Sequence, residues 1–160
     1  MLDKLLPGAA HLQNVHPLIV HFPIALLSAA VLFYLVAWVA KSDRLAVIAF
    51  AMLLAGTVAG AAAIATGLYA SQGVMVARSV RRALLHQHQF LMVITGFVAV
   101  VLSAWALLQR PFPRRLRPLF VVLLLVMFGV MVKGADDGGR MVYDYNAGGQ
   151  ACGQPIEFTQ

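Results

Sequence analysis

The sequence predicts an all-α integral membrane protein, an up-down bundle of four transmembrane helices, and three observations predict it. The 160 residues are 61% hydrophobic and only 11% charged, against about 25% charged residues in a soluble globular domain. The apolar residues fall into four long runs, each near the roughly 20 residues that a helix needs to cross a bilayer. The connections between runs are short and hold most of the basic residues, the pattern of membrane topology signals.

The runs are Pro17 to Ala40, Leu45 to Ala70, about His88 to Gln109, and Leu116 to Ala135. The first follows only Lys4, carries His21 and Pro23, and lacks a small-x-small cleavage pattern near Ala40, so it is expected to stay as the first helix. The second has Gly56, Ala59, Gly60, Ala63 and Gly67, small residues whose spacing lets a neighbouring backbone or a flat ligand come close. The fourth is charge-free only from Leu119 to Val132, but Arg117 and Lys133 can snorkel and it is read as spanning. These four helices make one domain, 1–135. The remainder, 136–160, reads as a Gly-rich tail holding Gly138, Gly139, Gly148, Gly149 and Gly153, with Cys152 the only cysteine of the chain. One cysteine gives neither an intrachain disulfide nor a thiolate cage.

Four helices place both termini on one side. Lys4, Arg78, Arg81, Arg82, Lys133 and Arg140 then share that side, and Lys41, Arg44, Arg110, Arg114, Arg115 and Arg117 share the other. The second group sits in two very short loops, where Lys and Arg weigh most, so those loops are expected to be cytoplasmic and both termini periplasmic, in a bacterial inner membrane. Basic clusters of this kind exclude nucleic acid as a partner; the lipid bilayer is the expected one.

His16 and His21 open the first helix, and His86 and His88 open the third. Odd-numbered helices of an up-down bundle start on one side, so the four imidazoles, with His11 just outside, are expected at one membrane face. Coordinating groups near hydrocarbon are costly unless paired or ligated, and so point to function. His16 and His21 differ by about 140° around a helix and His86 and His88 by about 200°, so one of each pair faces inward. His21 and His88 lie deeper in their runs and are the first choice. Pro23 removes a backbone donor, so a kink or late helix start is expected beside His21.

Two inward histidines on facing helices are the natural axial pair for haem b, its ring among Phe22, Phe90 and the small residues of the second helix. Arg81 and Arg82 then stand near its propionates. No Cys-x-x-Cys-His occurs, which excludes covalent attachment. A copper, zinc or non-haem iron site at His21 and His88, helped by His16 or His86, is the alternative. No hydrolase triad, phosphate loop or carboxylate pair is visible, and the absence of carboxylates within the four runs argues against an ion path.

The stretch His16-Pro17-Leu18-Ile19-Val20-His21-Phe22-Pro23-Ile24-Ala25-Leu26 resembles the opening motif of bacterial membrane proteins catalogued as domain of unknown function 2231. His88 at the start of the third helix and Gly138-Gly139-Arg140-Met141-Val142-Tyr143 are similar to further features of that family. Some relatives are fused to c-type cytochrome domains, and the resemblance therefore implies an electron-transfer setting. This chain carries no such domain, which implies a separate cytochrome or a larger complex as partner, and His86 departs from the family pattern.

The function expected is that of a b-type cytochrome-like electron-transfer protein or a small haem-binding subunit of a respiratory or photosynthetic complex, rather than a stand-alone enzyme. A structural or assembly subunit is the alternative from a different class.

Overall fold

A computed structural model describes residues 15–72, 74, 77–109, 111–113, 115–145 and 147. His11, Lys4, Arg110, Arg114, Cys152 and the glycines beyond 147 lie outside the described residues. Four helices are long and apolar enough to cross a membrane: α1 His16–Val39, α2 Asp43–Ala70, α3 Arg78–Gln109 and α4 Arg117–Tyr143. The all-α, four-span bundle read from the sequence is what the chain forms.

Two boundaries differ from the sequence reading. Helix α3 begins ten residues before His88, because Arg78–Val80 and a π-helical turn, Arg81–Leu85, precede the α-helical stretch from His86. Helix α4 passes Ala135 and continues to Tyr143. Its buried positions Met127, Met131, Gly134, Asp137 and Met141 keep helical spacing through the Gly-rich stretch, and ion pairs Lys133–Asp136 and Arg140–Asp144, each 3.3 Å long, brace it one turn apart. The segment 136–143, assigned to a tail from composition, is helix.

Within α1 the helix is interrupted at Val20, between His16–Ile19 and His21–Val39. Pro23 has no N–H for the Ile19 carbonyl, which is the break expected beside His21. At its other end, Lys41 adopts a left-handed backbone with φ 50°, and the Ser42 N–H reaches back to the Ala37 carbonyl at 3.0 Å, closing the helix as a Schellman-type cap. The Ser42 hydroxyl then accepts from the Leu45 N–H and starts α2. A turn this short makes α1 and α2 an antiparallel hairpin.

Helix α1 packs chiefly on α2, and α3 chiefly on α4; lighter contacts of α2 with α3 and α1 with α4 close the ring. Helices α1 and α3 therefore face each other across the bundle axis. The small residues of α2 line the α1 contact in antiparallel order. A Cβ on Gly56 would meet Leu27 at 2.8 Å, one on Gly60 would stand 3.8 Å from Pro23, and one on Gly67 would meet His16 at 2.7 Å. Helix α4 meets α3 in the same manner, with Gly134 against Leu91 and Met92 and Gly138 against His88.

The two hairpins repeat one packing plan. The buried residues Pro23, Leu27, Ala30, Val31 and Tyr34 of α1 correspond, 72 positions on, to Thr95, Ala99, Leu102, Ser103 and Ala106, the buried set of α3 from His86 onward. Ala49, Leu53, Gly56 and Ala63 of α2 correspond, 71 positions on, to the buried Phe120, Leu124, Met127 and Gly134 of α4. Such parallel repeats are related by an axis along the membrane normal.

The two ends of the bundle differ in chemistry. At the short-loop end, Tyr34, Phe112, Phe120 and Trp105 form a cluster of edge-on ring contacts 5.0–5.7 Å apart. Tyr34 donates to the Pro111 carbonyl at 3.0 Å, which ties the α3–α4 loop to α1. Midway, the Thr57 and Ser103 hydroxyls join α2 to α3 at 2.8 Å. The opposite end holds the histidines.

Gly56→Ala is expected to lower the thermal stability of the detergent-solubilised protein, at about 1–3 kcal/mol of overpacking against Leu27. Gly60→Ala, with only an ordinary contact to Pro23, should be neutral or slightly stabilising through helix propensity. Unfolding midpoints measured side by side check it: equal losses in both would show that α1 does not lie on this stripe.

Candidate functional site

Each hairpin brings one imidazole to the bundle interior at the same end. On α1, His16 precedes the buried Pro23 by seven residues and Leu27 by eleven, steps that return to one helix face. It is half-buried. His21 lies about 200° from Pro23 and is exposed on the outer surface. On α3 the same steps join His88 to the buried Thr95 and Ala99, and His88 is half-buried while His86 is exposed. The inward pair is therefore His16 and His88. The choice of His21 by depth along its run is corrected: helix face, not depth, decides which ring turns inward.

The environment of each ring assigns its tautomer. His88 Nδ1 lies 2.7 Å from the Gly134 carbonyl oxygen, and a carbonyl only accepts, so Nδ1 carries the proton. His16 Nδ1 lies 3.2 Å from Thr66 Oγ1. The Thr66 hydroxyl also lies 3.0 and 3.1 Å from the carbonyls of Ala62 and Ala63, so it can donate to its own helix and accept from His16 Nδ1. His16 also interacts with the Ala63 backbone, the counterpart of Gly134 in the repeated hairpin. The neutral His88 ring thus places its lone pair on Nε2, and the His16 ring does the same whenever its Nδ1 donates to Thr66.

Glycines make room for both rings. A Cβ at Gly67 would stand 2.7 Å from His16 Cε1, and one at Gly138 would stand 3.1 Å from His88 Cε1 and Nδ1. Imidazole therefore lies directly on helix backbone in each hairpin.

The remaining residues singled out from the sequence lie elsewhere. Arg81 is half-buried, and its guanidinium donates to the carbonyls of Ser71 and Val74, holding the α2–α3 loop against the π-helical turn. Arg82 is exposed. Phe22 and Phe90 are 60% and 65% exposed and point away from the interior, so they do not enclose a ring between α1 and α3, as the sequence reading had them do. Among the described residues no three of His, Cys, Asp and Glu gather as metal ligands; the four imidazoles divide into an inner pair and two outer rings.

The structure adds residues that sequence reasoning missed. Asp137, placed in a tail by composition, is 1% exposed within α4. Its Oδ1 pairs with the Lys133 ammonium, which also reaches Asp136 at 3.3 Å. Its Oδ2 is buried with no hydrogen-bond partner among the described residues. Asp137 lies beyond the apolar run that ends at Ala135, on the continuation of the same helix. The Lys133–Asp137 spacing of four, on a face shared with Met141, was the available signal.

A search of curated proteins and a search of solved structures find no match. The family described as "Predicted membrane protein (DUF2231)" matches residues 12–151, a span that takes in all four helices, the imidazole pair and both glycine contacts. The chain belongs to the membrane protein family known as domain of unknown function 2231.

Proposed function

We propose that His16 and His88 are the axial ligands of one haem b, and that the chain is a b-type cytochrome-like electron-transfer protein or a small subunit of a larger membrane complex. The observation that carries this reading is the shared placement of the rings: each sets Nδ1 at hydrogen-bond distance from a fixed oxygen, which leaves Nε2 for a ligand, on helices that face each other across the bundle. Metal-ligating histidines characteristically hold their other ring nitrogen in this way, which fixes orientation and raises basicity. A pair of neutral imidazoles from facing helices fits haem iron, which such bundles house between their helices.

Bound there, haem would supply reversible one-electron chemistry with no open coordination position. The protein's own part is to orient. Thr66 and the Gly134 carbonyl aim the two rings, and Gly67 and Gly138 let each ring lie close to backbone. Arg82 remains the cation for a propionate, since Arg81 is engaged in the loop.

The chain is further proposed to lie in a bacterial inner membrane with the histidine end periplasmic, as the Lys and Arg of the two short loops favour the cytoplasm. A separate cytochrome or a larger complex would be its electron partner.

His16→Ala and His88→Ala should each abolish the reduced-minus-oxidised haem spectrum of protein expressed with ample haem, while His21→Ala and His86→Ala leave it intact. Thr66→Val should weaken haem retention by about 10- to 100-fold, the usual effect of removing a ligand's supporting acceptor. Loss of the spectrum in His21→Ala, with His16→Ala unaffected, would overturn the ligand pair. A wild-type protein lacking a Soret band but retaining copper, zinc or non-haem iron would replace haem with a metal ion on the same imidazoles. For orientation, a reporter fused after Gln160 should be active only outside the cytoplasm; cytoplasmic activity would reverse the assignment.

A further inference from the structure

At the short-loop end the charges lack partners of opposite sign. Lys41, Arg44, Arg115 and Arg117 are accompanied there by one acid, Asp43. Every ion pair among the described residues lies on α4 at the histidine end. The last turn of α1, the α1–α2 turn and the start of α4 enclose a half-open groove of about 280 Å³ beside these charges. Trp38, Ala46 and Phe112 line it with apolar surface, and Lys41, Asp43 and Arg117 with charge. Such a volume, near the lower end for small-molecule sites, admits a head group and not acyl chains.

Arg117 is held in place to meet an anion. Its guanidinium carbon lies 5.1 Å from the centroid of the Phe112 ring, which is 5% exposed and packs in turn on Tyr34 and Phe120. An aromatic ring thus backs the guanidinium. Nε is buried with no partner among the described residues and lies out of a ligand's reach. The two terminal nitrogens are not buried in this way and donate to no described residue, so they form the open edge. A planar edge of N–H donors matches the oxygens of a phosphate.

The other polar residues of the groove do not cancel this charge. Lys41, exposed on its left-handed backbone, adds a second cation. Asp43 stands in the first turn of α2, where the helix N-terminus itself favours a carboxylate. The Ser42 hydroxyl oxygen is engaged in capping that helix. Two cations against one carboxylate leave the groove positive, and Arg44 and Arg115 close by in the chain make a third cation unwelcome. Depth in the membrane names the source of the anion. Trp38, 39% exposed, lies at the end of its span, the head-group level that tryptophan favours. At that level a bilayer presents lipid phosphodiesters.

We propose that this groove binds the phosphodiester of an anionic phospholipid, with the terminal nitrogens of Arg117 and the Lys41 ammonium donating to its free oxygens. The acyl chains stay in the bilayer. Phosphatidylcholine brings the same phosphate with a trimethylammonium group, which the surrounding cations oppose. The site lies at the opposite end from the imidazoles and requires neither haem nor metal.

Native mass spectrometry of the detergent-solubilised full chain, incubated with equal amounts of phosphatidylglycerol and phosphatidylcholine, reads the retained lipid directly. One phosphatidylglycerol should be kept per chain, in preference to phosphatidylcholine. Arg117→Gln and Lys41→Asn should each lower its retention about fivefold, the effect of one cation beside an anionic lipid. Asparagine accepts the left-handed backbone at position 41, so the turn is kept. Arg44→Gln removes the same charge from an exposed position outside the groove and should leave retention unchanged. Equal retention of the two lipids would overturn the proposal, as would unchanged retention in both groove variants. Equal losses in all three variants would replace the site with diffuse attraction to a basic surface. Release of the lipid by an equal concentration of inorganic phosphate would make the occupant a soluble phosphate compound instead. Should Arg117→Gln fail to fold, Lys41→Asn against Arg44→Gln, both at exposed positions, decides the matter alone.

Discussion

Close approach of helix backbones is the constraint on which everything else in this bundle depends. Lipid tails are as apolar as leucine side chains, so helices in a bilayer associate by packing and by hydrogen bonds rather than by escape from water. Gly56, Gly67, Gly134 and Gly138 are the places where a Cβ would collide with the neighbouring helix. Two of those neighbours are the inward histidines. The residues that bring the helices together are therefore also the residues that seat the imidazoles, and packing and site chemistry cannot be varied independently at this end of the bundle.

The repetition of the hairpin makes the same point at a larger scale. His16 with Ala63 and Gly67, and His88 with Gly134 and Gly138, are two copies of one local solution: a ring at the start of one helix laid on the small-residue face of the next. The copies differ where Thr66 of one becomes Asp137 of the other. In the first hairpin that position supports the imidazole. In the second, the ring is held by a main-chain carbonyl, and the acidic side chain pairs with Lys133. At the imidazole sites, the departure from symmetry is thus this exchange of Thr66 for Asp137.

Much of this was legible in the sequence, and the failures are instructive. The four spans follow from apolar runs, and the Val20 break follows from Pro23. The meeting of the histidines at one end follows from helix direction alone. The identity of the inward pair was missed because depth was weighed above face. The seven- and eleven-residue steps from His16 to Pro23 and Leu27 resolve it, and they recur from His88 to Thr95 and Ala99. The end of α4 was missed because glycines and charges from Lys133 onward look like a tail when averaged, whereas residue by residue they keep a buried stripe and spaced ion pairs. Tautomers and the stranded Asp137 oxygen depend on which carbonyls fold beside them, and no local pattern encodes that.

The two hairpins touch each other less than their own helices do. His16 belongs to one and His88 to the other, so an atom bound between them would be a clasp across the thinner seam of the molecule. Through such a clasp, ligand concentration acts as a stabilising force, adding to the folded state in proportion to how tightly the two halves grip it. Assembly and loading would then be coupled, with the shared apolar core, the Thr57–Ser103 bond and the aromatic cluster at the far end joining the hairpins in either case. The imidazole pair thus lies at one end of the seam where the two hairpins meet.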